Sequence, residues 1–398
     1  MIQGYLHPDF EPVADLLRSQ LRKTPQGGAA VCVYHRGERV VDIWGGVRDT
    51  LRMPWQGNTM SVSFSTTKGV AATALHILVD RGLLDYDDRV AKFWPEFAQN
   101  GKQGITVRHL LCHEAGLYRL RSQIDDASRM RDWEYMTTML ARSAPANEPG
   151  TVNAYHALTF GWLVGEVIRR VSSKSISEVV TSEIARPLGL DGLYIGAPKE
   201  ELHRAAELVV SRRRLDSLET LGPTIRWVQR VMSLLGMPLD LGRIADALVP
   251  RGIGAFDWSA HENLTVAIPA ANGLFTARSL AKMYAALANG GEFQGVRLIS
   301  EKTLRRATEV QNRRSDLVVV YPMHWRLGYH RAATTRGVPP RAFGHYGFGG
   351  SGAWADPDRN LSMAMVLNSG FGTPMGDLRT VRMGAAVLRC ADRRKNAP

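Results

Sequence analysis

Strand-forming segments occupy both ends of this 398-residue chain, and a long helical stretch lies between them. A two-stranded hairpin is marginal by itself in water, and strand backbone groups must be paired once they are buried. The simplest architecture joins the hairpin near the amino terminus to the strands near the carboxyl terminus. The expected class is α+β: one antiparallel sheet built from both chain ends, flanked by helices, with a helical domain inserted.

The segments are read as follows. Residues 28–46 (GAAVCVYHRGERVVDIWGG) give two strands, with Val31, Val33, Val40 and Val41 as β-branched content and Arg36-Gly37-Glu38-Arg39 as the turn. Residues 325–331, 343–347 and 351–368 give further short strands, the last broken at Asp356-Pro357-Asp358. Residues 8–22 place Val13, Leu16, Leu17 and Leu21 at helical spacing, and residues 65–82 and about 376–394 also read as helices. From residue 82 to about residue 310 the pattern is mostly helical, with loops at Pro145–Thr151 and Met237–Leu239. The expected division is a sheet-containing region (1–60 and 270–398) and a mainly helical region (61–269), together one catalytic unit.

Composition removes several classes of function. Apolar residues at 44% and charged ones at 22% describe a globular chain. The net charge of +12 raises a nucleic-acid partner. Its distribution argues against one, because the arginines are scattered and the densest run is only Arg212-Arg213-Arg214. A solvated, arginine-rich surface is the plain reading, with weak contact with anionic lipid as the remaining expectation. Residues 224–235 (TIRWVQRVMSLL) suit either a core-facing helix or a lid or lipid-touching one, with Trp227, Val228, Val231, Leu234 and Leu235 on one face. Cys32, Cys112 and Cys390 are too few and too scattered for a disulfide framework. No export signal or membrane-spanning run is visible, so a cytoplasmic protein is expected.

Of the 50 basic residues only nine are lysine, which makes each lysine informative, because lysine can give up its proton in a site and arginine cannot. Lys68 follows Ser65 by three residues in Ser65-Thr66-Thr67-Lys68, ahead of the apolar run GVAATALHIL. Three residues on a helix is one turn, so both side chains share a face. A desolvated lysine there loses its charge readily and can take the serine's proton. A serine at the helix start also meets free backbone N–H groups. The spacing alone is weak evidence: Ser279-Leu280-Ala281-Lys282 repeats it, where Thr276 reads as an N-cap and Ser279 as an ordinary first-turn residue.

Two further segments give the pair company. Tyr155 follows the Pro149-Gly150 turn and leads into the apolar helix ALTFGWLVGEVIRR, where its phenol can relay a proton to a leaving group. His345-Tyr346-Gly347-Phe348-Gly349-Gly350 places a polar side chain and glycines at a strand edge, where glycine allows close backbone approach of a substrate. The N–H of Phe348 can join that of Ser65 as an oxyanion hole.

With these three motifs in this order the chain resembles the serine β-lactamase and penicillin-binding superfamily, and within it the family VIII carboxylesterases, relatives of class C β-lactamases. The resemblance spans residues 28–370 and includes 105–117, 160–170, 187–196 and 273–291. It implies a β-lactamase/transpeptidase-like fold and a serine ester hydrolase acting on a small-molecule acyl ester. Ser65 would be the nucleophile and Lys68 and Tyr155 the acid–base pair, with their order open. Ser65 and Phe348 would give the oxyanion N–H groups, and His345 and Gly347 would border the substrate. No metal or other cofactor is implied. Two departures weaken the β-lactamase reading: Ala157 replaces the asparagine of Tyr-x-Asn, and His345 the lysine of Lys-Thr-Gly. An acyltransferase and a β-lactamase or DD-peptidase are the alternatives, and a non-catalytic binding module is the most distant. His109 and His113 have metal-ligand spacing but no third ligand nearby, so packed histidines are expected; His156 is read as structural, and His345 as touching substrate or tuning Tyr155. Trp133 and Trp258 lie in regions that could line a pocket.

Overall fold

The computed structural model describes residues 1–209, 240–370 and 377–394. The residues expected to form the 224–235 helix, the Met237–Leu239 loop and the Arg212–Arg214 run lie outside these.

Seven antiparallel strands form the main sheet, in the order Ile2–Leu6, Glu38–Gly46, Gly28–His35, Leu361–Leu367, Gly352–Asp356, Phe343–Tyr346 and His330–Arg331. The closure between chain ends is the pairing of Gly28–His35 with Leu361–Leu367, in which Cys32 faces Ala364 and Val31 faces Met365. Every residue of these two strands is buried, because both faces of the sheet are covered.

The two faces differ in side-chain size. Ala30, Cys32, Ala353, Ala355 and Ala364 point to one side, where they meet the helix Ala277–Ala288 and the larger helical region. Small residues there let the helix lie close, and Ser362 Oγ donates to the carbonyl of Ala281 at 2.8 Å. Val31, Val33, Trp354, Met363 and Met365 point to the other side and pack against the terminal helices Glu11–Lys23 and Leu378–Arg393 through Phe10, Val13, Leu17, Met383 and Val387.

Three features differ from the sequence reading. Ile2–Leu6 is a strand on the sheet edge; three of its five residues are exposed, so it has no apolar run to read. Residues 325–331 give only the two-residue strand His330–Arg331. The middle of the chain contains a small sheet of Ser61–Val62, Leu274–Phe275 and Leu193–Tyr194, and a hairpin of Glu292–Phe293 with Val296–Arg297. These strands are too short to show a period of two. The segment Phe348–Gly350, between the strands read at 343–347 and 351–368, forms a short 3-10 turn. Among the described residues no helix is long and apolar enough to cross a membrane.

Candidate active site

Ser65 is the N-cap residue of the helix Thr66–Asp80, and fourteen of that helix's fifteen residues are buried. The residue before it, Phe64, has φ +43, a left-handed conformation that costs a non-glycine residue on the order of 1–3 kcal/mol. Its ring is held edge-on by Trp258 (5.4 Å between centroids) and Phe348 (5.6 Å). Thr66 and Thr67 pin the turn: Thr66 Oγ1 donates to the Ser351 carbonyl (3.1 Å), Thr67 Oγ1 donates to the Phe64 carbonyl (2.5 Å) and accepts from the Gly273 N–H (2.9 Å). Ser65 is thus set on a strained, fixed turn and remains 9% exposed.

Lys68 lies one turn further along and is fully buried. Its Nζ is 3.0 Å from Ser65 Oγ, 2.6 Å from the Ala157 carbonyl and 3.0 Å from the Ala270 carbonyl. No carboxylate pairs with it among the described residues, and burial drives its ammonium well below the usual lysine range. Two backbone segments are shaped for this contact. Gly161 lets the helix Thr159–Ser172 approach the Pro269–Ala270 turn, where a Cβ would stand 2.5 Å from the Ala270 nitrogen. Asn272 holds the same loop, accepting from the Ile268 N–H and donating to the Asn263 and Val266 carbonyls.

Tyr155 donates from its phenol to Ser65 Oγ at 2.7 Å. It is 2% exposed, and burial raises its phenol above the ordinary tyrosine value. Its ring stacks on Trp325 (5.6 Å, 11° between planes) and meets the edge of His113 at 4.9 Å. Ser65, Lys68 and Tyr155, separated by up to 90 residues, therefore converge on one oxygen.

His345 is 1% exposed and lies 6.3 Å from the Tyr155 ring. Its Nδ1 meets the Tyr346 carbonyl at 2.9 Å, so Nδ1 carries the proton and Nε2 presents a lone pair, which has no partner among the described residues. Burial, with His330 and Lys68 nearby, keeps the ring neutral. At Gly347 a Cβ would fall 2.2 Å from the Ser63 carbonyl and 3.0 Å from Thr66 Oγ1, so the missing side chain lets two of the protein's own segments meet. That contact brings the Phe348 turn beside the Ser65 turn, with the Gly347 N–H donating to the Ser351 carbonyl (2.7 Å).

The remaining residues singled out from sequence have structural tasks. His109 Nδ1 accepts from the Thr106 N–H in a capping box, and His113 Nδ1 accepts from the His156 N–H at 3.1 Å. His156 bridges the Ala154 carbonyl and the Leu117 N–H. Thr276 caps its helix by accepting from the Ser279 N–H, while Ser279 Oγ donates to the Asp191 carbonyl and Lys282 Nζ to the Leu188 carbonyl. Trp133 donates to Glu166 (2.9 Å) and braces a helix, whereas Trp258 packs on Phe64 beside Ser65. No group of three metal-ligating side chains occurs among the described residues.

Sequence reasoning missed Asp316 and Trp325. Asp316 accepts from the Tyr155 N–H at 3.0 Å and from Trp325 Nε1 at 3.1 Å. The one signal was an acid before the apolar run LVVVY, which is easily taken for a loop residue.

A family model described as Beta-lactamase matches residues 13–388. A relative from Mycobacterium tuberculosis named Esterase/beta-lactamase LipL is 36% identical over 92% of this chain and 82% of its own. The crystal structure of a family VIII carboxylesterase superposes with a TM-score of 0.85 at 36% identity, covering 98% of this chain and all of that one. A penicillin-binding protein homologue from Caulobacter crescentus gives 0.84 at 35% identity, with the same coverage. The pattern read from residues 28–370 as a resemblance thus holds across nearly the whole chain, and the chain belongs to the beta-lactamase family of serine hydrolases.

Proposed function

We propose that this enzyme is a carboxylesterase that hydrolyses small acyl esters through an acyl-enzyme on Ser65. The observation that carries the reading is the pair of hydrogen-bonding neighbours on Ser65 Oγ. A neutral lysine has two N–H groups and one lone pair. The carbonyls of Ala157 and Ala270 take both N–H groups, which leaves the lone pair facing Ser65 Oγ. Lys68 is then the first base, and Tyr155, kept protonated by burial, is the acid.

The protons balance over two half-reactions. In the first, Ser65 passes its proton to Lys68 as Oγ attacks the acyl carbonyl. The oxyanion is met by the N–H groups of Ser65 and Phe348. The C–O bond to the alcohol then breaks, and Tyr155 gives its proton to the departing oxygen. The enzyme is left as an ester on Ser65 with an ammonium at Lys68 and a phenolate at Tyr155; Nζ lies 5.0 Å from the ring centre, so the two charges stabilise each other. In the second half, the phenolate takes a proton from water, the hydroxide attacks the ester, and Lys68 returns its proton to the leaving Ser65 Oγ. Each group ends as it began.

Two features favour esters over β-lactams. His345 is a neutral acceptor where the resembling motif has a lysine, so it offers no cation to a substrate carboxylate. Ala157 offers no side-chain amide, and its carbonyl is already used by Lys68. The family VIII structure is named a carboxylesterase, and the M. tuberculosis relative is named for both esterase and β-lactamase activity. The test is turnover of p-nitrophenyl esters from acetate to palmitate, with fluorophosphonate labelling. Both should be present in the natural protein and lost in Ser65→Ala. Turnover that survives Ser65→Ala refutes the reading, and rapid turnover of a chromogenic cephalosporin without ester turnover replaces it with a β-lactamase. New esters formed when alcohols are added would make the enzyme an acyltransferase.

A further inference from the structure

The direction in which Tyr155 points is set by a carboxylate 161 residues away in sequence. Asp316 is 2% exposed. Its Oδ1 accepts from the N–H groups of Tyr155 (3.0 Å), Val318 (2.8 Å) and Val319 (3.1 Å), and its Oδ2 accepts from Trp325 Nε1 (3.1 Å). The indole so held is the one stacked on the Tyr155 ring. The Leu317 N–H also donates to the Asn153 carbonyl at 2.8 Å, clipping the two segments together on both sides of the carboxylate.

A carboxylate this deep is costly to bury unless it is fully bonded. Asp316 has no cation in an ion pair with it among the described residues. All four of its partners are donors, and none can accept a proton from a neutral carboxyl, so the geometry is that of the anion. An asparagine would satisfy the three backbone donors but would turn an N–H toward the indole N–H. The need for an acid at this place thus comes from the indole, which stacks on Tyr155 and also packs against His113 (4.3 Å) and His330 (6.0 Å).

We propose that Asp316 is a positioning residue for the hydrolytic reaction: as a carboxylate it grips the backbone of Tyr155 directly and the face of its ring through Trp325, so that the phenol stays aimed at Ser65 Oγ. This rests on the reading of Tyr155 as the proton donor. The charge has a separate effect: a nearby anion opposes ionisation of the phenol, which keeps Tyr155 protonated in the resting enzyme and makes it a weaker acid.

The test is Asp316→Asn beside Trp325→Phe, each with its melting temperature measured. In Asp316→Asn, kcat for an alkyl ester should fall about 10–100-fold, the scale of a misplaced reacting group, with KM changed less than about threefold because substrate does not touch Asp316. The basic limb of the pH profile should move to lower pH as the phenol loses its neighbouring anion. Trp325→Phe keeps the carboxylate and loses the indole N–H, so it should lower kcat with the basic limb unmoved. A folded Asp316→Asn protein with kcat within about twofold of the natural enzyme, or a loss confined to KM, or an unmoved basic limb, overturns the proposal. If Asp316→Asn does not fold, Trp325→Phe decides, and an unchanged kcat there overturns it. Failure of the esterase reading is seen separately, as absence of Ser65-dependent turnover in the natural protein.

Discussion

Replacing Tyr155 by phenylalanine removes a single oxygen and tests the proposed division of labour most directly. The ring keeps its stack on Trp325 and its edge contact with His113, so packing is conserved. One hydrogen bond, the 2.7 Å donation to Ser65 Oγ, is lost. Ser65 Oγ retains Lys68 at 3.0 Å, so no buried polar atom is orphaned, and the cost in stability should be only about 1 kcal/mol. The catalytic cost should be far larger. A positioned general acid supplies about 10²- to 10⁴-fold, or about 3–5 kcal/mol of barrier. It should also depend on the leaving group, because a nitrophenolate departs with little help and an alkoxide needs a proton. Two esters with the same acyl group, one of p-nitrophenol and one of an alkyl alcohol, separate these effects. The Tyr155→Phe loss in kcat/KM, which reports acylation and not the shared deacylation step, should be at least about tenfold greater on the alkyl ester. With the nitrophenyl ester the acyl-enzyme should accumulate, because water has lost its base, and mass spectrometry should find the acyl group on Ser65. Equal losses on the two esters, or a loss below about tenfold on the alkyl ester in folded protein, would refute the assignment of Tyr155 as the acid.

Other outcomes follow from the same geometry. Gly347→Ala places a methyl 2.2 Å from the Ser63 carbonyl and must push the Phe348 turn away from the Ser65 turn; kcat should fall by about 10²–10³, the scale of a lost oxyanion donor, and near-natural kcat would remove the Phe348 N–H from the proposed mechanism. His76, His156 and His330 are buried, and burial lowers them from 6.5 to about 3, about 3 and about 4. The unfolded chain takes up protons at these sites near pH 6.5 and the folded chain does not, so stability is lost as pH falls from about 6.5 toward 4, at up to about 4 kcal/mol per pH unit for the three. Urea midpoints at pH 7.5 and pH 5 measure this, and a midpoint independent of pH would refute it.

How far the chain is legible from its sequence differs from element to element. The hairpin of 28–46 and the helix carrying Ser65 were read correctly because their apolar periods are long and local. The edge strand Ile2–Leu6 was not, because a strand with one covered face and few apolar residues has no pattern that distinguishes it from coil. At Gly347 the sequence shows that something approaches closely, and only the fold shows that the Ser63 carbonyl does so.

The sequence by itself placed Ser65 and Lys68 on one helix face, because three residues on a helix is one turn, and the Tyr155 and His345 segments set this pair apart from Ser279 and Lys282. It also pointed to a sheet that joins both chain ends, because unpaired strands cannot be buried. Only the tertiary structure decided the state of that pair. The groups that hold Lys68 are backbone carbonyls of two alanines, Ala157 and Ala270, and every residue has a carbonyl, so no letter marks them. Asp316 reaches Tyr155 across 161 residues, a distance over which packing, not periodicity, sets which groups meet.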